Sequence, residues 1–184
     1  HAHADHVHGI DEIRIFSFHG GVPIPCYGDA QTMATIHRQF PYIFVTEEER
    51  ESFIPRITTH VATEPFQLYD LNIIPVPIRH GKQTILGYRI GPVAYLGDCN
   101  GIPEESEGLL RDLDTLILDA LRIDPHPTHF SLDQAVRAAE RINAKRTLFT
   151  HMAHQLDHDE INESLPANMA LAYDGQELEF EEDR

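Results

Sequence analysis

The chain has 184 residues and a mass of 20.9 kDa, which suits one domain with its own hydrophobic core. Its 30 acidic residues against 14 basic ones give a formal charge of −16. That charge argues against a nucleic-acid polymer as partner, because such binding depends on Lys and Arg contacts to phosphate. No apolar run approaches the ~20 residues of a membrane span, and two distant cysteines, Cys26 and Cys99, favour a reducing cytoplasm over a disulfide framework.

The first third of the chain predicts short helices and strands. The predicted elements are a helix over 10–18 ended by Gly20 and Gly21, a strand over 23–27, and a helix from the N-cap Asp29 through residue 40. Pro41 starts a new apolar stretch over 42–45, and residues 46–55 are charged and carry no clear pattern.

The rest of the chain begins as a β meander and then alternates. Strands are predicted over 57–62, 66–69, 71–78, 84–90 and 93–96. After them come a helix over 103–112, a strand over 115–120, a helix over 132–143 capped by Ser131, a strand over 146–150, a helix over 159–165 and a closing hairpin through Asp174 and Gly175. This order indicates a mixed α/β layered fold.

A run of metal-ligand residues opens the chain as His1-Ala-His3-Ala-Asp5-His6. Imidazole and carboxylate groups are ligands for divalent cations such as zinc. Alternate side chains of an extended segment point the same way, so His1 and His3 can reach one point. Asp5 and His6 break the alternation and can reach a second point, which suits two metals. A purification tag is the competing interpretation, but the run contains Asp5 and continues into the predicted helix.

Further candidate ligands follow predicted strands. They are His80, Asp98 and His151. A single histidine or aspartate at a strand end is more often an ordinary polar residue. A ligand in that position would nevertheless be held by a rigid sheet, as a metal site requires.

The opening run stands at the first residue of the sequence. No strand precedes His1 to anchor it, and a ligand on a frayed terminus loses positional precision. We therefore expect that a further N-terminal piece belongs to the domain that residues 1–184 form.

The ordered set HxHxDH, a lone His, Gly-Asp and Thr-His resembles the metallo-β-lactamase superfamily of metal-dependent hydrolases. Several stretches resemble its phosphoribosyl 1,2-cyclic phosphate phosphodiesterase branch. They are His6-Val-His-Gly-Ile-Asp11, Phe40-Pro-Tyr-Ile-Phe44, His80-Gly81, Gly97-Asp-Cys99, Pro127-Thr-His-Phe130, Thr150-His-Met152 and Tyr173-Asp-Gly175. The resemblance implies one metallo-β-lactamase-like αββα sandwich over 1–184, with strands expected before the opening run.

The resemblance also implies a ligand set. His1, His3 and His80 would bind a first metal, and Asp5, His6 and His151 a second, with Asp98 bridging both. The metals would be zinc or manganese. His129 would lie near the substrate as a proton donor or phosphate-binding group, with His126 as a weaker substitute. His154 matches the offset of a structural zinc ligand, although an ordinary surface histidine fits equally well.

The resulting hypothesis is a phosphodiesterase. A hydroxide bridging the two metals would attack phosphorus in a small, cyclic sugar or nucleotide phosphodiester, and His129 would protonate the leaving oxygen. The alternatives are a thioester or lactone hydrolase, an RNase Z-like endonuclease, which the charge of −16 disfavours, and a non-catalytic metal-binding module. A structural site usually has four ligands, often cysteines, whereas this set has seven. The superfamily resemblance also suggests a homodimer.

Overall fold

The computed structural model of the protein describes residues 1–17, 22–46, 48–50 and 52–180. The chain forms two compact units, His1–Thr63 and Glu64–Arg184. Helices and strands occur in both units, so the mixed α/β class predicted from the sequence is confirmed. No helix in the described ranges has both the length and the apolar character needed to cross a membrane.

The described part of the first unit contains two α-helices, two 3-10 helices and a parallel pair of strands. Its elements are α1 (Ala4–Val7), a 3-10 helix (His8–Ser17), β1 (Ile24–Gly28), α2 (Ala30–Gln39), a second 3-10 helix (Pro41–Phe44) and β2 (Ile57–Val61). Asp29 caps α2 as predicted, because its carboxylate accepts from the backbone N–H groups of Gln31 and Thr32. A small core of Val7, Met33 and Ile36 lies beneath these elements.

The segment predicted as a helix over 10–18 is a 3-10 helix through Ser17, and its expected end at Gly20 and Gly21 lies outside the described residues. Three β-branched isoleucines and Gly9 lower the α-helical propensity of this stretch.

The second unit is built on a sheet whose described strands follow the order β3-β4-β5-β6-β7-β8-β9. The strands are β3 (Phe66–Leu68), β4 (Leu71–His80), β5 (Gln83–Ile90), β6 (Val93–Leu96), β7 (Thr115–Asp119), β8 (Arg146–Thr150) and β9 (Met169–Leu171). Strands β3 to β6 pair antiparallel and β6 to β9 pair parallel. Strands β4, β6, β7 and β8 therefore end at the same edge of the sheet.

Three helices accompany this sheet: α3 (Glu104–Glu107), α4 (Leu132–Ile142) and α5 (His158–Ser164). Ser131 and Gln134 form a capping box at the start of α4, which fixes where the helix begins. The helix contributes Leu132, Ala135 and Ala138 to the main core, beside strand residues such as Leu96 and Leu118, which are fully buried. The small alanines let the helix approach the sheet closely.

Two predicted elements of this unit are wrong in detail. The helix predicted over 103–112 is four α-helical residues followed by a 3-10 turn, Gly108–Leu110. The closing hairpin is absent from the described residues: a turn does form at Gly175, but residues 176–180 add no strand. The sheet instead takes Met169–Leu171 as a parallel edge strand on β8, because these apolar residues gain burial that the acidic tail could not.

Candidate metal centre and active site

In the first unit, the opening run gathers its imidazoles. His3 has an extended backbone and serves as the N-cap of α1, whereas Asp5 and His6 lie on the helix itself. His1 Nε2 lies 2.8 Å from His3 Nδ1, and the rings of His1 and His6 are 4.3 Å apart between centroids. The Asp5 carboxylate lies 3.6 Å from His6 Nε2. The side chains of His1 and His3 therefore converge as expected. The alternation of side chains ends after His3, where the backbone changes from extended to helical.

In the second unit, the candidate residues follow strands that end at one edge of the sheet. His80 closes β4, Asp98 follows β6, and His151 follows β8. Asp119, the last residue of β7, joins them and was not identified as a site residue from the sequence. The parallel course of these strands explains how residues up to 71 positions apart in sequence come together.

Two of these residues adopt strained backbone conformations. Asp98 has φ 49° and His151 has φ 63°, which is the left-handed region that side-chain-bearing residues rarely occupy. Such strain costs on the order of 1–3 kcal/mol per residue and clusters at functional sites. The conformation turns both side chains at the point where the strand ends, which is where a metal ligand would be needed.

His80 has a defined tautomer. Its Nδ1 lies 3.0 Å from the backbone carbonyl oxygen of Thr128, and a carbonyl can only accept, so Nδ1 carries the proton. The unprotonated Nε2 is then the ring atom with the lone pair that could coordinate a cation. Metal-binding histidines commonly donate their other N–H to a backbone carbonyl or carboxylate in this way. The side chain is 4% exposed, which limits its rotation.

Asp119 organises the interior of the cluster. It is 0% exposed, and its Oδ2 accepts from His129 Nδ1 at 2.8 Å and from the Cys99 backbone N–H at 2.9 Å. Because a carboxylate accepts, His129 carries a proton on Nδ1 and directs Nε2 away from Asp119. Asp119 Oδ1 lies 3.4 Å from His151 Nδ1 and makes no hydrogen bond among the described residues.

The donor set fits divalent cations. Within this unit, candidate ligand atoms lie within 4.8 Å of one another in two groups, His80–Asp98–His129 and Asp119–His129–His151. The buried Asp119 oxygen without a hydrogen-bond partner is the kind of atom that a cation satisfies. Imidazole and carboxylate ligands suit zinc and manganese alike. His129 belongs to both groups, so its geometry permits metal binding as well as the expected catalytic role.

Buried negative charge also acts on two neighbouring groups. Burial, together with the carboxylates of Asp119 and Asp98, holds the pKa of the Cys99 thiol well above its usual value, although two backbone hydrogen bonds oppose this. The pKa of Tyr95 is raised by burial and by the same two carboxylates. Cys99 is 0% exposed, and its thiol stays protonated as a small buried group.

Two further histidines from the sequence analysis are placed as follows. His126 lies beside His129, with 5.1 Å between ring centroids. His154 is exposed and joins none of the ligand-like groups found among the described residues. Its proposed part in a structural zinc site stays a prediction.

Comparisons with known proteins agree with this chemistry. A model of the beta-lactamase superfamily domain matches residues 1–152. A crystal structure described as a new diphosphatase from the PhnP family is 44% identical, with a TM-score of 0.89, over 98% of this chain and 69% of that one. A metallo-β-lactamase fold protein from Bacillus subtilis, YhfI, is 20% identical with a TM-score of 0.71, over 94% of this chain and 71% of its own.

One curated relative bears a different name. An octanoyltransferase from Porphyromonas gingivalis (strain ATCC BAA-308 / W83) is 30% identical over 184 residues, which is 99% of this chain and 37% of that protein. This chain thus spans little more than a third of that relative's length. The superfamily match, the fold and the 44% identical structure together show that the chain belongs to the beta-lactamase superfamily, in its PhnP-like branch, and is a metal-dependent hydrolase.

Proposed function

We propose that this hydrolase is a dimetal phosphodiesterase that acts on a small, cyclic sugar or nucleotide phosphodiester. The observation that carries the proposal is the pairing of His129 with the fully buried Asp119, beside His80 and Asp98. Such a pair holds an imidazole ready to donate a proton to a departing alkoxide. The 44% identity to a protein described as a diphosphatase supports phosphorus as the atom attacked.

The proposed ligands are those expected from the sequence. His1, His3 and His80 would hold the first ion, and Asp5, His6 and His151 the second, with Asp98 as the ligand shared by the two. The geometry within each unit supports the pairs His1–His3 and His80–Asp98. The assignment across the two units rests on the superfamily pattern alone.

The chain's residues have separate tasks in this proposal. Bound zinc or manganese ions would lower the pKa of water and neutralise phosphoryl oxygens. His129 Nε2 carries the proton that the leaving oxygen needs, and Asp119 keeps the ring in the required tautomer and stabilises its charged form. Thr128 fixes His80 through its carbonyl oxygen. No serine or cysteine nucleophile is involved, and Cys99 stays protonated.

A second candidate reaction at the same site is cleavage of a diphosphate, because the 44% identical structure is described as a diphosphatase. Both reactions replace a leaving oxygen at phosphorus. Thioester and lactone hydrolysis would use the same hydroxide on carbon. An RNA substrate conflicts with the formal charge of −16. A cytoplasmic location and a homodimer remain predictions.

The test loads metal-free protein with Zn²⁺ or Mn²⁺, counts bound ions by mass spectrometry and measures hydrolysis of bis-p-nitrophenyl phosphate, 2′,3′-cyclic AMP and a dinucleoside diphosphate. We expect two ions per chain and turnover of the diesters that chelation abolishes. Turnover of the diphosphate alone would select the second candidate. Stoichiometric metal with no turnover of any phosphorus substrate, but hydrolysis of a thioester or lactone, would contradict the proposal.

A further inference from the structure

The loop between β7 and α4 is fixed by contacts to its backbone. Arg122 donates to the carbonyl oxygens of Asp124 and Pro125 at 3.1 and 2.9 Å. Asn100 Nδ2 donates to the Pro127 carbonyl at 2.8 Å, and the Phe130 N–H donates to the Cys99 carbonyl at 2.8 Å. With several carbonyl groups held, side chains on this loop keep defined positions, which a binding site requires.

His126, on this loop, has a tautomer that its partners determine. Its Nδ1 accepts from the Thr128 backbone N–H at 3.3 Å and lies 3.2 Å from Thr128 Oγ1. A backbone N–H can only donate, so Nδ1 is the unprotonated nitrogen. The neutral ring therefore carries its proton on Nε2, whereas His129 carries its proton on Nδ1.

Charge and burial favour this neutral form. Burial is the largest effect that lowers the pKa of His126, and the neighbouring His129 and Arg122 lower it further. Asp119 raises this pKa by a smaller amount. The ring is half-buried and lies 5.1 Å from that of His129 between centroids. Two adjacent imidazoles thus present different groups: an Nε2–H donor on His126, and on His129 the Nε2 that carries the transferred proton.

We propose that His126 contacts the substrate directly, and that its Nε2–H donates to an oxygen on the leaving group beside the atom that His129 protonates. This inference rests on the proposed phosphodiesterase function and adds a substrate class to it: esters of alcohols with a second oxygen close to the scissile one, as in sugars. His126 is then a specificity-determining residue, and His129 remains the proton donor.

The kinetic test compares two substrates. His126→Ala lowers kcat/KM for 2′,3′-cyclic AMP about 10-fold, as expected for one lost hydrogen bond. It changes kcat/KM for bis-p-nitrophenyl phosphate less than about 2-fold, because the nitrophenol leaving group has no second oxygen on the carbon next to the scissile oxygen. His126→Gln can place an amide N–H near the position of Nε2 and restores part of the loss. His158→Gln, on α5, serves as the matched histidine control. Equal losses on both substrates, or none on either, overturn the inference.

A second measurement does not depend on turnover. Nitrogen-15 NMR of the zinc-loaded protein reads the tautomer of His126, with adenosine 3′-monophosphate, a product of the cyclic diester, as the probe and inorganic phosphate as its control. We expect a proton on Nε2 and a shift of that resonance on adding the nucleotide that inorganic phosphate does not produce. A proton on Nδ1, or no shift specific to the nucleotide, overturns the role of His126. If the wild-type protein hydrolyses no phosphodiester, the proposed function fails, and the NMR result still decides whether His126 contacts an oxygen of the sugar.

Discussion

Replacing Asp119 by Asn should disable His129 while leaving the fold intact. In the native protein Asp119 Oδ2 accepts two hydrogen bonds, from His129 Nδ1 and from the Cys99 N–H. An amide oxygen in the place of Oδ2 can still accept both hydrogen bonds, and its NH₂ group would take the place of Oδ1. The His129 ring then keeps its tautomer but loses the negative charge that stabilises its protonated form.

The expected magnitude follows from these contacts. A general acid contributes about 10²–10⁴-fold to the rate, and kcat should fall by up to that factor when the charged form of His129 loses its partner charge. Asp119→Ala additionally leaves the buried Cys99 N–H and the His129 Nδ1–H without their acceptor, so it should be less stable than Asp119→Asn by about 1–3 kcal/mol. The difference between the two variants separates the two hydrogen bonds from the charge of the carboxylate.

The assay combines urea unfolding, metal counting and steady-state kinetics on a diester that the wild type hydrolyses. Nitrogen-15 NMR of the His129 ring gives the tautomer directly. An Asp119→Asn variant with kcat within about 3-fold of wild type, far short of the usual contribution of an acid–base group, or with Nδ1 of His129 no longer protonated, would refute the reasoning.

Four further predictions follow from the same structure. His129→Ala should keep two bound metals and lose about 10²–10⁴-fold in rate; loss of metal in this variant would make His129 a ligand. Asp98→Ala should lose at least one metal and nearly all activity, and full activity would reject the bridging assignment. Gly87→Ala should destabilise the protein by about 1–3 kcal/mol, because its Cβ would lie 2.4 Å from Leu96 Cδ2 and 2.8 Å from a backbone oxygen. Gly108→Ala, whose Cβ meets nothing within 4 Å, is the control and should be neutral or stabilising; equal losses in both would contradict the packing argument. His126 should titrate below 6.5 by NMR, so its contribution to stability is complete above that pH and falls as the pH drops through the lowered pKa; a pKa above 6.5 would contradict the described surroundings.

The sequence predicts most strands closely because their apolar residues are bounded by strong turn signals. Val93–Leu96 and Arg146–Thr150 match their predicted limits, and the caps at Asp29 and Ser131 are as expected. The prediction of a closing hairpin is wrong because Asp174 and Gly175 favour a turn but do not determine which segment pairs with the edge of the sheet.

Some features of the site can be predicted from the sequence, and others cannot. Histidines and an aspartate at strand ends can be read from spacing and resemblance, since the carboxyl ends of parallel strands share an edge. Asp119 was overlooked because it lies within a predicted buried strand, although a carboxylate among apolar neighbours is itself the signal of a functional pairing. The left-handed conformations of Asp98 and His151 have no local sequence signal, because only tertiary contacts sustain them.

The tautomers of His80 and His126 cannot be predicted from the sequence. They depend on backbone groups of Thr128, which contacts His80 through its carbonyl and His126 through its N–H. These contacts join segments 48 residues apart in the first case. Only the folded loop shows which nitrogen of each ring carries the proton.

The central claim is that this hydrolase binds a pair of metal ions through its His and Asp residues. The most direct measurement is a crystal structure of the metal-loaded protein with anomalous scattering recorded at the metal edge. The account predicts two ions about 3.5–4 Å apart, with Asp98 contacting both and Nε2 of His80 contacting one. A single closed site that excludes Asp98, or no ion near His80, Asp98 and His151, would contradict it.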